Sequence, residues 1–216
     1  MSRGDLEAGL DAGVLALGLA LTADQRRQLL DYLDLIQKWT RVYNLTAVRD
    51  PREMLTHHLL DSLAVIAPLR RQTGGASGSL LDVGAGAGLP GVVIAICCPE
   101  LRVDCVDTVA KKAAFIRQAA GALKLPNLRG LHERVERLAG PYDVIACRAF
   151  ASLPDFVSWS AAALAPQGVW MAMKGHRPDQ EIAALPAGVE MFHVEQLFVP
   201  NLEGERCLVW MKRRIA

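Results

Sequence analysis

The stretch Leu80-Leu81-Asp82-Val83-Gly84-Ala85-Gly86-Ala87-Gly88-Leu89-Pro90-Gly91 constrains this chain more than any other. A short apolar strand, Ser79–Val83, runs into three alternating glycines, and Pro90 stands where a helix starts. Glycine lets the backbone turn sharply and approach a ligand closely. A strand, a glycine turn and a helix in that order commit this part of the chain to a sheet with helical crossovers. The alternation continues downstream. Val92–Cys98 reads as a buried helix, Arg102–Asp107 as a strand and Lys111–Leu123 as a helix. Asn127–Leu131 and Tyr142–Cys147 read as strands, Phe156–Leu164 as a helix and Gly168–Met173 as a strand. Val189–Val199 and Arg206–Lys212 read as a hairpin turning near Gly204, which places one antiparallel strand at the end of a parallel sheet.

The chain before Ser79 has a different period. Thr22 and Gln25 make a capping box. Leu29, Leu33, Ile36, Trp39 and Tyr43 then recur at helical spacing, so residues 23–43 form an amphipathic helix whose stripe is core rather than a stacking platform. Asp50 and Pro51 are placed to start a third helix through Leu55, Leu59, Leu63 and Ile66, ending near residue 69. Residues 72–79 are rich in Gly and Ser and form a joint. The expected division is a helical extension over 1–71 packed on a sheet domain over 79–216. A chain of 216 residues at about 150 per domain fits one domain with an appendage.

Composition excludes several classes. With 24 basic and 23 acidic residues the net charge is +1, so there is no strongly basic nucleic-acid arm. The longest near-apolar stretches, Ala12–Leu21 and Val92–Cys98, fall short of the ~20 residues that span a bilayer. Asp5, Glu7 and Asp11 argue against a signal peptide. No pair among the five cysteines has zinc spacing, so they read as buried thiols of a reducing cytoplasm, with no metal site.

The glycine turn admits two ligand readings. Gly86, Gly88 and Gly91 fit a dinucleotide fingerprint. The strand ends at Val83, however, which makes Gly84 the first glycine of a G-x-G-x-G turn, with Asp82 two positions earlier. That register suits a nucleoside carrying a cationic amino acid, and Asp82 is then a candidate to face the ammonium of S-adenosylmethionine. A tight turn without a ligand is the bland alternative. Asp107 ends the next strand, 23 residues after Gly84, where a carboxylate accepts ribose hydroxyls or merely caps a helix. Val135-Glu136 follows the third strand and is either an adenine wall or a solvated helix start. Arg148 and Lys174 each follow an apolar strand at the sheet's carboxyl edge, where ligands bind in such folds. His58 and Asp61 share one helical turn, as a surface contact or a functional pair.

These residues together resemble a class I S-adenosylmethionine-dependent methyltransferase, and in detail the RsmG (GidB) family. Asn44-Leu45-Thr46-Ala47-Val48 is similar to that family's N-L-T-A-[IV], and His58 to Leu63 to its H-x-x-D-S-L. Asp82 to Gly91 matches D-V-G-x-G-x-G-L-P-G, Arg134-Val135-Glu136 resembles R-[VA]-E, Arg148 to Ala151 resembles R-A-F-A, and Lys174-Gly175 its K-G. Thr40, Ala85 and Cys147 depart from the pattern. The resemblance implies an α/β, Rossmann-like fold with a mostly parallel seven-stranded sheet, a C-terminal antiparallel hairpin and the N-terminal helical extension. It implies methyl transfer to N7 of one guanine of 16S rRNA, near position 527 in the 530 loop, by a cytoplasmic monomer acting on the small ribosomal subunit or its assembly intermediate. It implies that Gly84, Leu89, Val135, Glu136 and Arg148 contact the cofactor, beside Asp82, Gly86, Gly88 and Asp107. Arg148 and Lys174 are candidates for positioning, and Asn44, Arg49, His58 and Lys174 for contact with RNA.

N7 of guanine has a free lone pair and no proton, so the transfer needs positioning and no general base. The sequence has no N-P-P-[FYW] for exocyclic amines; Pro141-Tyr142-Asp143 is a superficial echo. Arginine commonly grips guanine through O6 and N7 together, which here would occupy the attacking lone pair. The expectation is a guanine extruded from its stack and held through O6 or its Watson–Crick edge, N7 bare. The competing readings are a small-molecule methyltransferase with the helical segment as a lid, a nicotinamide-dependent oxidoreductase in the Gly86 register, and a non-enzymatic assembly module.

Overall fold

A computed structural model describes residues 2–214. Helix α1 (Arg3–Ala16) and helix α2 (Ala23–Tyr43) each begin with a capping box. In α2 the Gln25 amide donates to Thr22 Oγ1 at 3.1 Å, and the Thr22 amide donates to Gln25 Oε1 at 2.9 Å. The expected bounds of this helix hold. Asn44 ends it in the left-handed region, a conformation that asparagine tolerates better than most residues.

The third helix departs from expectation. Asp50 caps it as expected, its Oδ1 accepting from the Arg52 and Glu53 amides at 2.8 and 3.2 Å. After one turn, α3 (Pro51–Met54), the backbone widens into a π-helical segment over Leu55–Leu60 before α4 (Asp61–Leu63) and α5 (Ile66–Thr73). A π turn holds an extra residue and shifts which side chains share a face, and such turns gather at functional sites. His58 and Asp61 are therefore buried, at 5% and 3% exposure, and are not a surface pair.

The sheet follows as β1 (Gly78–Val83), α6 (Gly91–Cys97), β2 (Leu101–Asp107), α7 (Ala110–Ala122), β3 (Leu128–His132), β4 (Tyr142–Arg148), α8 (Leu153–Ser160), β5 (Leu164–Lys174), α9 (Asp179–Ala183), β6 (Val189–Gln196) and β7 (Cys207–Arg213). Its seven strands lie in the order β3-β2-β1-β4-β5-β7-β6. Only β7 runs against its neighbours, as the hairpin reading requires. Most bounds shift by a residue from the reading, β6 ends at Gln196 rather than Val199, and α8 and β5 differ more. Helix α8 starts at Leu153, where Ser152 caps it by accepting from the Asp155 amide, and β5 starts at Leu164. The short α9 left no periodic mark.

Successive strand residues face opposite sides, so Leu80 joins one core and Leu81 the other. Helix α8 covers one face. Helices α6 and α7 cover the other, and α1, α2 and the π segment join the same continuous core. Helix α2 is pinned further by side chains: Gln25 Nε2 donates to the Ile96 carbonyl at 2.9 Å, and Gln28 Nε2 to the Leu123 carbonyl at 2.8 Å. The chain leaves β1 in one direction for β2 and the other for β4. This is the topological switch point, whose carboxyl-edge crevice is where ligands bind in open α/β sheets.

Candidate active site at the glycine turn

At that crevice the residues after Val83 cannot continue the strand. Gly84 has φ +66°, and a Cβ there would collide with the Phe150 ring. The turn is anchored from behind: Tyr32, fully buried on α2, donates its hydroxyl to the Ala87 carbonyl at 2.5 Å. Gly91 opens α6 where a Cβ would strike the Cys105 sulfur and Asp82, so its missing side chain allows the helix to pack against the sheet.

Two clefts open from this turn and share Gly84 and Ala149. The larger, of about 640 Å³, lies between the helical extension and the ends of β4 and β5. Thr46, His58, Asp61, Gly86, Leu89, Arg148, Lys174 and Arg206 are among its walls. The smaller, of about 450 Å³, lies over the ends of β2 and β3, between Asp107, Val135, Glu136, Phe150 and Trp159.

In the smaller cleft Asp107 is oriented by the backbone. Its Oδ2 accepts from the Gly86 amide at 3.0 Å and its Oδ1 from the Val109 amide at 2.8 Å, while Lys112 Nζ lies 3.5 Å from Oδ2. Asp107 does not cap α7, whose N-cap is Val109 and has no side-chain cap; it ties the β2 end to the glycine turn. Trp159, 41% exposed, sets its ring edge-on to Phe150 at 5.9 Å between centroids.

In the larger cleft the charged groups hold one another. Arg148 donates through one guanidinium nitrogen to the His57 carbonyl and to Asp61 Oδ2, both at 2.8 Å. Arg206 Nε donates to Asp61 Oδ1 at 3.0 Å. The Asp61 carboxylate is only 4% exposed and bridges two arginines from distant parts of the chain. Lys174 Nζ donates to the Ala151 carbonyl at 2.9 Å and to Glu181 Oε2 at 2.8 Å. His58 Nε2 lies 3.0 Å from Thr46 Oγ1, and its Nδ1 has no partner. Burial, reinforced by the Arg148 charge, pushes the imidazole pKa down to about 4, so it is neutral near pH 7.

The sequence-derived candidates divide accordingly. Gly84, Gly86, Leu89, His58, Arg148 and Lys174 line the larger cleft; Asp107, Val135 and Glu136 line the smaller. Asp82 and Gly88 lie behind the turn and line neither. Asp82 is fully buried, with Oδ2 accepting from the Gly91 amide at 2.8 Å and Oδ1 unpartnered. Desolvation raises its pKa to about 7. Asn44 and Arg49 bind each other at 2.6 Å on the exposed rim, while Leu45, Thr46 and Val48 of the same motif face the cleft. Arg206, Glu181 and Trp159 were not legible as site residues. Arg206 was read as the first residue of the last strand, which begins instead at Cys207, and Trp159 follows Phe156 at a helical spacing that reads as core. Among the described residues all five cysteines are free and buried, and no cluster of His, Cys, Asp or Glu is arranged for a metal ion. No described helix is long and apolar enough to cross a membrane.

A doubly wound sheet with one reversed strand, a glycine turn after β1 and an acid ending β2 define a class I methyltransferase fold. Solved structures agree. Magnesium protoporphyrin IX methyltransferase from Synechocystis PCC 6803, with bound SAH, superposes with a TM-score of 0.60 at 14% identity, covering 87% of this chain and 100% of that one. TrmN from Thermus thermophilus gives 0.58 at 20% identity, over 74% and 53%. The family model described as rRNA small subunit methyltransferase G matches residues 25–209. Proteins named ribosomal RNA small subunit methyltransferase G are 64% identical in Acidovorax ebreus (strain TPSY), over 98% of this chain and 97% of the relative, and 68% identical in Polaromonas sp. (strain JS666 / ATCC BAA-500), over 97% and 95%. The chain belongs to the rRNA small subunit methyltransferase G family.

Proposed function

We propose that this protein transfers the methyl group of S-adenosylmethionine to N7 of a single guanine of 16S rRNA, near position 527 in the 530 loop of the small ribosomal subunit. The observation that carries this reading is the meeting of two unlike clefts at Gly84 and Ala149, in a member of this family: one sets Val135, Phe150 and Trp159 beside the acids Asp107, Glu133 and Glu136, and the other gathers Arg148, Lys174 and Arg206.

The residues present fit the cofactor. Gly84 leaves room that a Cβ would fill, and Asp107 keeps a spare lone pair on each oxygen for a ribose hydroxyl. Val135 and the backbone at Glu136 would flank the adenine. Gly84, Gly86, Leu89 and Arg148 would hold the amino-acid end. Asp82 and Gly88 would act from behind by shaping the turn. Bound there, S-adenosylmethionine supplies an electrophilic methyl group. The protein's own task is then orientation, because guanine N7 attacks without losing a proton. Arg148 and Lys174 suit that task. Each is fixed in orientation by an acid, Asp61 or Glu181. Neutral His58, fixed by Thr46, walls the base site, and Asn44 and Arg49 on the rim would meet the RNA outside it. We place the protein in the cytoplasm, as a monomer acting on the subunit or its assembly intermediate.

The test is transfer of labelled methyl from S-adenosylmethionine to undermethylated small subunits and to bare 16S rRNA, followed by nucleoside identification. Label in 7-methylguanosine at one site is the expected result. No label in either substrate, with cofactor binding intact, would defeat the reading.

A further inference from the structure

Among the described residues, two carboxylates line the larger cleft, Glu53 and Asp61. Asp61 is engaged by Arg148 and Arg206. Glu53 differs: among the described residues its carboxylate has no hydrogen bond and no ion pair, although cations surround the cleft it faces. Its backbone is well fixed. The Asp50 cap holds the Glu53 amide, and the next residue, Met54, is buried at 1% exposure. A free acid beside a site for RNA is unfavourable toward phosphate. It is favourable toward a base edge that offers donors.

We propose that Glu53 reads the Watson–Crick edge of the substrate guanine, its two carboxylate oxygens accepting from N1–H and from the exocyclic N2–H. This rests on the proposed function, in which a guanine enters the larger cleft. Guanine is the base that sets two donors side by side on that edge, so a carboxylate fork matches it. Adenine puts an acceptor at N1 and meets the same carboxylate with repulsion. The purine's geometry supplies the rest. N7 lies on the five-membered ring, away from N1 and N2. Glu53 enters from the helical extension and the glycine turn from the sheet edge. A grip by Glu53 on the six-membered ring therefore leaves N7 free to face the turn. Lys174 spends its ammonium on the Ala151 carbonyl and Glu181, and Asp61 holds one edge of Arg148 and of Arg206, which limits their reach toward N7.

The test uses small subunits assembled on 16S rRNA carrying either guanosine or inosine at the target position. Inosine keeps N7, O6 and N1–H and lacks the N2 amino group. The wild-type protein is expected to lose about tenfold or more in kcat/KM on inosine, the scale of a good bidentate base contact. Glu53→Ala is expected to lose at least as much on guanosine and to treat the two substrates alike, with cofactor affinity and melting temperature unchanged. Glu53→Gln, which keeps one acceptor, is expected to fall between them. A Glu53→Ala variant that retains the wild-type preference for guanosine overturns the assignment. So does a wild-type protein that forms 7-methylguanosine on one substrate and 7-methylinosine on the other with equal kcat/KM. A wild-type protein that forms neither 7-methylguanosine on the guanosine substrate nor 7-methylinosine on the inosine substrate overturns the function itself, and the assignment falls with it; that result is distinct from the other two.

Discussion

Two buried titratable side chains near the glycine turn pull stability in opposite directions as pH changes. Asp82 is held in the interior with one oxygen unpartnered, and desolvation raises its pKa from an ordinary 3.8 to about 7. The folded state therefore binds a proton more tightly than the unfolded chain between those values, and stability falls as pH rises from 3.8 to 7. His58 runs the other way. Its pKa drops from 6.5 to about 4, so the unfolded state binds the proton first and stability falls as pH drops through that window. At about 1.4 kcal/mol per unit, the two slopes nearly cancel between pH ~4 and ~6.5. Substituting Asp82→Asn removes one of them. The variant's stability relative to wild type is expected to improve by about 3 kcal/mol between pH 5 and pH 8, read by urea denaturation at both values. An equal difference at the two pH values would show that Asp82 stays ionised in the fold. The sequence reading placed Asp82 correctly at the end of β1 but not in depth. Periodicity tells which face of a strand a residue occupies, and both faces of this sheet are covered.

Three elements meet at one carboxylate. Asp61 stands at the start of α4, Arg148 ends β4 and Arg206 leads into β7, and their ion pairs close the larger cleft from three directions. The side chains of Arg148 and Arg206 are 22% and 28% exposed and that of Asp61 is 4% exposed, so solvent screens these pairs weakly. Removing the acid leaves two guanidiniums facing each other across a half-buried site. Asp61→Ala is expected to lower stability by about 3 kcal/mol, the low end for breaking a buried pair because both arginines retain some water. Thermal melts at matched salt would check it, and a loss under ~0.5 kcal/mol would mean that the pairs are no better than surface pairs. The elements themselves were largely legible. Strands and helices alternate with regular apolar spacing, and caps such as Thr22 and Asp50 mark helix starts within a few residues of sequence. The clasp was not. Arg206 and Asp61 are 145 residues apart, and a contact over that distance leaves no period. The π segment was hidden for a related reason. Leu55, Leu59 and Leu63 fit ordinary helical spacing equally well, and only the folded backbone over Leu55–Leu60 shows the wider turn.

At the scale of the whole molecule the question is whether the helical extension moves as a lid. Helix α2 buries Leu29, Leu30, Tyr32, Leu33 and Ile36 in the same core as α6 and α7. Each such side chain contributes roughly 1.5–3 kcal/mol by burial. Lifting the helix would therefore cost about as much as the ~5–15 kcal/mol that holds a typical protein folded. It would also break the bonds from Gln25, Gln28 and Tyr32 to the backbone of the sheet domain. A lid needs a hinge cheaper than global unfolding, and α2 has none. Native-state hydrogen exchange measures this directly. The amides of Leu33 and Ile36 in α2 are expected to exchange with the same free energy as those of Leu80 and Leu81 in β1, because both open only when the whole protein unfolds. Exchange from α2 at a free energy several kcal/mol lower, with β1 still protected, would mean that the extension opens as a unit. That result would favour a gated pocket for a small substrate over a preformed cleft for an RNA base.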